Sequence, residues 1–280
     1  MPVCALPDGA VLTYADDGAG APILLVHGWA AHGGFFRDLH ARLACTHRVL
    51  TPTLRGHLGS DLGSAALTVE TLAADIAHFA AALDLRGITG LGWSMGAMAL
   101  WAATPLLGAR LDKLIVEDMA PRLVNGPDWR LGLAGGYGAA DVAASVREIK
   151  ANWSAYVSRF APRMFAPGHD ALIDWTAAEM SKANPAAMAA LWASMAEQDF
   201  RAALTHIEQE MLVIHGAESQ IYPDGATRFV ADAAPNAERV VIPSAGHVPH
   251  LEAPDAFFHH VEAFVRTTRR PELKSGGVLS

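Results

Sequence analysis

Cysteine is scarce in this sequence. Two residues in 280, Cys4 and Cys45, cannot frame a disulfide-stapled fold, and their separation suits no metal site, so a reducing cytoplasm is expected and both read as small hydrophobes. Basic runs are missing too. With 21 Lys and Arg against 29 Asp and Glu the formal charge is −8, and no stretch supplies the cationic footprint that a phosphate backbone demands, which argues against a nucleic-acid partner. No apolar run reaches the roughly 18 residues of a membrane-spanning helix, and the first residues, MPVCALPDGAVLTYADDG, lack the basic start and apolar stretch of a secretory signal. A cytoplasmic protein without a membrane span is expected, either monomer or homodimer. GLGWSMG lacks the spacing and downstream acid of a dinucleotide fingerprint, and no metal or flavin motif occurs, so no cofactor is expected. Residues 271–280 are polar and glycine-bearing and read as a flexible tail.

What is present is apolar: 51% of the residues are hydrophobic, enough for one large core carrying an insertion. Short apolar runs alternate with helix-period stretches, the pattern of an α/β fold with a mostly parallel, doubly wound sheet. PILLVHG, Arg48 to Thr53, GITGLGW, LDKLIVEDMAP, Met211 to His215 and Arg239 to Pro243 read as strands. Between them TVETLAADIAHFAAALDL lines up Leu72, Ile76, Phe79 and Leu83 on one helix face, with Thr68 or Thr71 as cap. MGAMALWAATPL, DGATRFVADAAP and APDAFFHHVEAFVRTT are further helices. The alternation stops after residue 120. The core is therefore expected to comprise 1–120 and 208–270, with 121–207 a helical cap (lid) over one end of the sheet. That segment is rich in large apolar residues, among them Trp129, Trp153, Phe160, Met164, Trp192 and Met195. Some of them glue the insertion to itself and others face what it covers.

One corner carries the chemistry. In Gly92-Trp93-Ser94-Met95-Gly96 a strand meets a helix so abruptly that the positions two before and two after the serine must be glycine, and the hydroxyl is thrust out over a helix N-terminus. A serine serving only as helix cap would not need both glycines. To attack, it needs a base. His247, in the glycine-bearing loop SAGHVPHLEAP past the last strand, is the candidate at the same sheet edge, and His250 is its rival.

These motifs together resemble the α/β-hydrolase superfamily over nearly the whole chain: LLVHGW after an early strand, RGHLGS after the next, GWSMG at the elbow and GHVPHLEAP near the end. The resemblance implies an α/β-hydrolase fold, a Ser–His–acid triad, and an oxyanion hole made by the backbone amides of Trp29 and Met95, with His27 holding its loop. It leaves the acid open. Where most members place an aspartate after the penultimate strand, VIHGAESQIYP has Ser219. Glu218 is adjacent, but a shift of one residue turns a side chain elsewhere. Asp118, at the carboxyl end of the strand after the elbow helix, is preferred, in the manner of a minority of small bacterial and mitochondrial esterases; Glu218 is the alternative. Glu117 alternates to the opposite face and is the weakest candidate.

Relatives that open epoxides or remove halides need an aspartate at the elbow, so the resemblance implies acyl-enzyme chemistry. A carboxylic ester, or a thioester, of a small to medium apolar acyl group is the expected substrate; acyl transfer, lactone opening, carbon–carbon hydrolysis and a ligand receptor with negligible turnover are the alternatives. Trp93, Arg122, Trp129 and Trp153 are candidate substrate contacts, and Arg55 a weaker one for an anionic group.

Overall fold

A computed structural model describes residues 1–267; the expected tail at 271–280 lies outside the described residues. Along the chain run β1 (Val3–Ala5), β2 (Val11–Asp17), β3 (Pro22–Val26), α1 (Arg37–Leu43), β4 (Arg48–Pro52), α2 (Val69–Ala82), β5 (Ile88–Trp93), α3 (Met95–Leu107) and β6 (Leu111–Glu117). Four helices follow, α4 (Ala139–Ala151), α5 (Trp153–Phe160), α6 (Asp170–Met180) and α7 (Pro185–Glu197). The remainder is β7 (Glu210–Gly216), α8 (Asp224–Ala233), β8 (Ala237–Ile242), α9 (Pro249–Glu252) and α10 (Pro254–Arg266).

The strands form one sheet in the order β1-β2-β4-β3-β5-β6-β7-β8. From β4 to β8 every pairing is parallel, so all carboxyl ends point to one edge. β5 is buried along its whole length, as expected of a central strand covered on both faces. The antiparallel β1 and β2 were not among the expected strands. Their residues sit among Pro, Asp and Gly, which hides the short alternation.

Helix α2 follows its sequence closely: Thr68 caps it by accepting the Thr71 amide at 3.1 Å, and Leu72, Ile76 and Phe79 are buried. Arg55, considered as an anion ligand, is instead almost wholly buried and held by Asp75 and Asp8 at 2.7 and 2.6 Å. Its role is structural. His27 donates from Nδ1 to the Gly28 carbonyl at 2.8 Å and accepts the Leu54 amide on Nε2 at 2.9 Å, tying the loop after β3 to the end of β4.

The segment between β6 and β7 begins irregularly, with no helix until Ala139, and then folds into α4 to α7. Its aromatic side chains gather on Trp29 from the core: the Trp153, Phe160 and Trp192 rings stand 5.5, 5.6 and 4.8 Å from it. The Trp29 indole donates to the Met188 carbonyl of α7 at 2.9 Å.

Candidate active site

Ser94 has φ +52° and ψ −120°, a left-handed conformation that side chains rarely adopt. Crowding on both sides enforces it. A Cβ on Gly92 would lie 2.5 Å from the Ala97 nitrogen, and one on Gly96 only 2.0 Å from the Val26 carbonyl oxygen. The Ser94 amide donates to the Glu117 carbonyl at 2.9 Å, so β6 anchors the corner. The amides of Met95 and Trp29 have no hydrogen-bond acceptor among the described residues, which leaves two donors at the sheet edge next to the serine.

His247 and Asp118 meet there. The His247 Nδ1 is 2.6 Å from Oδ2 of Asp118, and both residues are buried. Asp118, which directly follows β6, has φ +43°. Its second oxygen, Oδ1, is 2.5 Å from Nδ1 of His215, the penultimate residue of β7. Ser219 donates its hydroxyl to Oδ2 at 2.7 Å, so the serine that stands where an acid is usual is bonded to Asp118. Burial pushes the Asp118 carboxyl up, but hydrogen bonds from His215 and His247 outweigh that and hold it below its ordinary value. Glu218 is exposed and far less committed: its amide donates to the Ala245 carbonyl, and its carboxylate makes no hydrogen bond among the described residues.

Glu117 and His250 pair with each other. The Glu117 carboxylate, fully buried, accepts from Nδ1 of His250 at 2.8 Å and from its amide at 3.0 Å. Glu117 therefore holds a different histidine from Asp118. The loop carrying His247 is fastened at three further points. Trp93 donates its indole N–H to the His247 carbonyl at 2.8 Å, the His247 amide donates to the Met164 carbonyl at 2.7 Å, and Glu252 accepts the amides of Gly246, Val248 and Ala166. His215, Ser219 and Glu252 were not foreseen as site residues. Nothing in the sequence states which amides the Glu252 carboxylate will reach.

Ser94 and His247 line one small cavity of about 20 Å3, closed by Trp29, Phe160, Trp192 and Tyr222. Beside it, sharing Leu133, Phe160, Trp192 and Ile221 as walls, lies a chamber of about 430 Å3. Of the tryptophans nominated for substrate, only Trp93 lines the serine cavity. Trp153 is one layer out, donating to the Met180 carbonyl at 3.1 Å and meeting Trp29 edge-on. Trp129 donates to the Arg122 carbonyl and packs on Phe229, while Arg122 pairs with Asp128 at 3.1 Å on the surface. Arg122, Trp129 and Trp153 thus line neither of these two cavities and hold packing and surface positions. Arg122 and Trp129 leave an irregular stretch and Trp153 the first position of α5, where no periodicity announces a side chain's direction.

Among the described residues no His, Cys, Asp and Glu cluster could hold a metal ion, and no helix is long and apolar enough to cross a membrane.

The chain resembles known proteins over most of its length. It is 26% identical over 267 residues to the pimeloyl-[acyl-carrier protein] methyl ester esterase of Nitrosospira multiformis, covering 92% of this chain and 100% of that one. Among solved structures, an esterase from Exiguobacterium antarcticum superposes with a TM-score of 0.89 at 23% identity, covering 95% of this chain and 99% of its own. A thermophilic esterase from Thermogutta terrifontis gives 0.83 at 26% identity, with 94% and 96% covered. The alpha/beta hydrolase family matches residues 23–260. With its eight-stranded, mostly parallel sheet and its serine on a strained turn between β5 and α3, the chain belongs to the alpha/beta hydrolase family.

Proposed function

We propose that the chain is a serine esterase that cleaves a carboxylic ester through an acyl-enzyme, with Ser94 as nucleophile, His247 as base and Asp118 as the acid that orients it. The observation that carries this reading is the 2.6 Å contact between Asp118 and His247 beside a cavity that His247 shares with the strained Ser94. With its Nδ1 proton held by Asp118, the imidazole presents a basic Nε2. Ser94 Oγ attacks the ester carbonyl carbon as its proton passes to Nε2, and the carbonyl oxygen becomes an oxyanion. The free amides of Trp29 and Met95 are suited to receive it; one such donor is worth about 3 kcal/mol of barrier. His247 returns the proton to the departing alcohol oxygen as the carbon–oxygen bond breaks. Water then attacks the acyl-enzyme, giving its proton to His247 and releasing the acid and Ser94.

The shape of the site supports a small group next to the serine. A cavity of about 20 Å3 holds roughly one water-sized group, such as the methyl of a methyl ester, whereas an acyl chain fits the larger chamber. Relatives named methyl ester esterases, matched nearly end to end, support the same reading. We take residues 121–207 as the cap that closes over this substrate, and two free thiols fit work in the cytoplasm.

The test is steady-state hydrolysis of methyl and p-nitrophenyl esters of graded acyl length. Repeated turnover that Ser94→Ala reduces by at least about 10^3-fold is expected. A single slow turnover, as a ligand receptor would give, or rates indifferent to Ser94→Ala, would sink the reading.

A further inference from the structure

The chamber beside the serine cavity has two unlike ends. Toward Ser94 its walls are Leu133, Phe160, Trp192 and Ile221, all shared with the serine cavity. The rest of its lining includes Tyr156, Arg159, Arg163 and Glu148. Arg159 and Glu148 neutralise each other as an ion pair. Arg163 has no carboxylate within reach among the described residues; its one contact is the Gln220 carbonyl at 3.5 Å. Tyr156 is 9% exposed, and Ser145, which accepts from Tyr137 at 2.9 Å, stands beside its hydroxyl on the same wall. Burial pushes the Tyr156 phenol up, so it stays a neutral donor.

Two guanidiniums against one carboxylate make this mouth cationic in a chain of net charge −8. A phenol donor and an exposed cation without a counter-charge line the same space. An oxyanion would satisfy both. We propose that the chamber binds an oxyanion at the far end of the substrate, with Arg163 and the Tyr156 hydroxyl as its ligands. The substrate class that follows is an ester whose apolar arm runs past Phe160 and Trp192 and ends in a carboxylate or a phosphate. This rests on the esterase reading for the reactive end only. The cationic mouth also draws anions toward an otherwise acidic protein.

Two measurements separate the two claims. The first compares kcat/KM for methyl esters of equal chain length ending in a carboxylate, a phosphate or a methyl group. A charged hydrogen bond is worth about 1.5–3 kcal/mol, so at least about a tenfold advantage for an anionic end is expected, carried by KM and shrinking in about 0.5 M salt. Whichever of carboxylate and phosphate leads identifies the natural end group. Arg163→Gln and Tyr156→Phe should each cut the ratio of anionic to neutral ester severalfold, Arg163→Glu should invert it, and Arg266→Gln, remote from the chamber, should leave it alone. A ratio near one in the wild-type enzyme, or one that Arg163→Gln does not move, overturns the subsite while Ser94-dependent cleavage still stands. The second is calorimetric titration of Ser94→Ala with an aliphatic dicarboxylate and with the monocarboxylate of equal length. Tighter binding of the dicarboxylate that Arg163→Gln abolishes supports the subsite even if no ester is turned over, and equal binding of the two overturns it.

Discussion

Two adjacent residues at the end of β6 make the same kind of bond and do different things. Glu117 and Asp118 are both fully buried carboxylates, and each holds Nδ1 of a histidine, His250 in α9 and His247 three residues before it. Only His247 lines the serine cavity. His250 is walled in by Phe36, Trp93 and Phe257, and its Nε2 has no partner. Pairing with a carboxylate therefore does not make a histidine a base. In the proposed mechanism, access of its other nitrogen to a reacting atom does, and the left-handed turn at Asp118, just past the end of β6, gives its carboxylate a different histidine from that of Glu117.

The sharpest way to break this comparison is to neutralise the two acids in turn. Asp118→Asn keeps the shape but can stabilise the wrong imidazole tautomer, and kcat should fall by about 10^4-fold with little change in KM. Glu117→Gln should cost stability instead, on the order of 3 kcal/mol for disturbing a buried charged pair, with kcat within a few-fold of normal. Chemical denaturation and ester kinetics on both variants separate the roles, and Glu218→Gln should change neither. If Glu117→Gln were as inactive as Asp118→Asn, access would not be what distinguishes the pairs.

A second contrast sets paired histidines against unpaired ones. His57 donates from Nδ1 to the Arg55 carbonyl, its Nε2 is orphaned, and burial pushes it down to about 4. The folded chain keeps this imidazole neutral while the unfolded chain protonates it near its ordinary value, so the unfolded state binds the extra proton between those limits. Stability is full above about pH 6.5 and is lost as pH falls toward 4, by about 3 kcal/mol for this residue. His27, lowered well below its ordinary value chiefly by burial, acts in the same direction. Urea denaturation from pH 7 to pH 4 should show His57→Asn losing less than the wild-type chain over that window. Parallel slopes would mean that His57 is not held neutral.

How far the site could be read in advance depended on how local its causes were. Ser94 was legible because the glycines that enforce its turn are two residues away on either side. Asp118 was legible from Ser219, a gap in one place pointing to an acid in another. The ties among His250, Glu117, Glu252 and His215 were not, because they depend on the register of β6 against β7 and on where a loop returns, and those are set by the whole sheet. Arg122, Trp129 and Trp153 were misjudged for a related reason. They leave chain segments before or at the start of the helices of the insertion, and composition says that such residues will be buried without saying against what.

His215 tests that non-local layer, with the smallest expected effect. It stands opposite His247 on the same carboxylate, outside the serine cavity, donating to Oδ1 while His247 and Ser219 donate to Oδ2. His215→Leu would leave a buried carboxylate oxygen unsatisfied, a penalty of about 1–3 kcal/mol, and free Asp118 to turn away from the base. If the penalty appears in the transition state, kcat drops by roughly 5- to 150-fold while KM holds, since His215 touches no substrate. Asparagine places its amide nitrogen where Nδ1 of histidine stands, so His215→Asn should recover most of the rate that leucine loses. A simple packing role would make the two variants alike. A His215→Leu enzyme with undiminished kcat would mean that the bonds from His247 and Ser219 alone hold Asp118 in place, and that the second histidine belongs with His250 among the residues that support the fold.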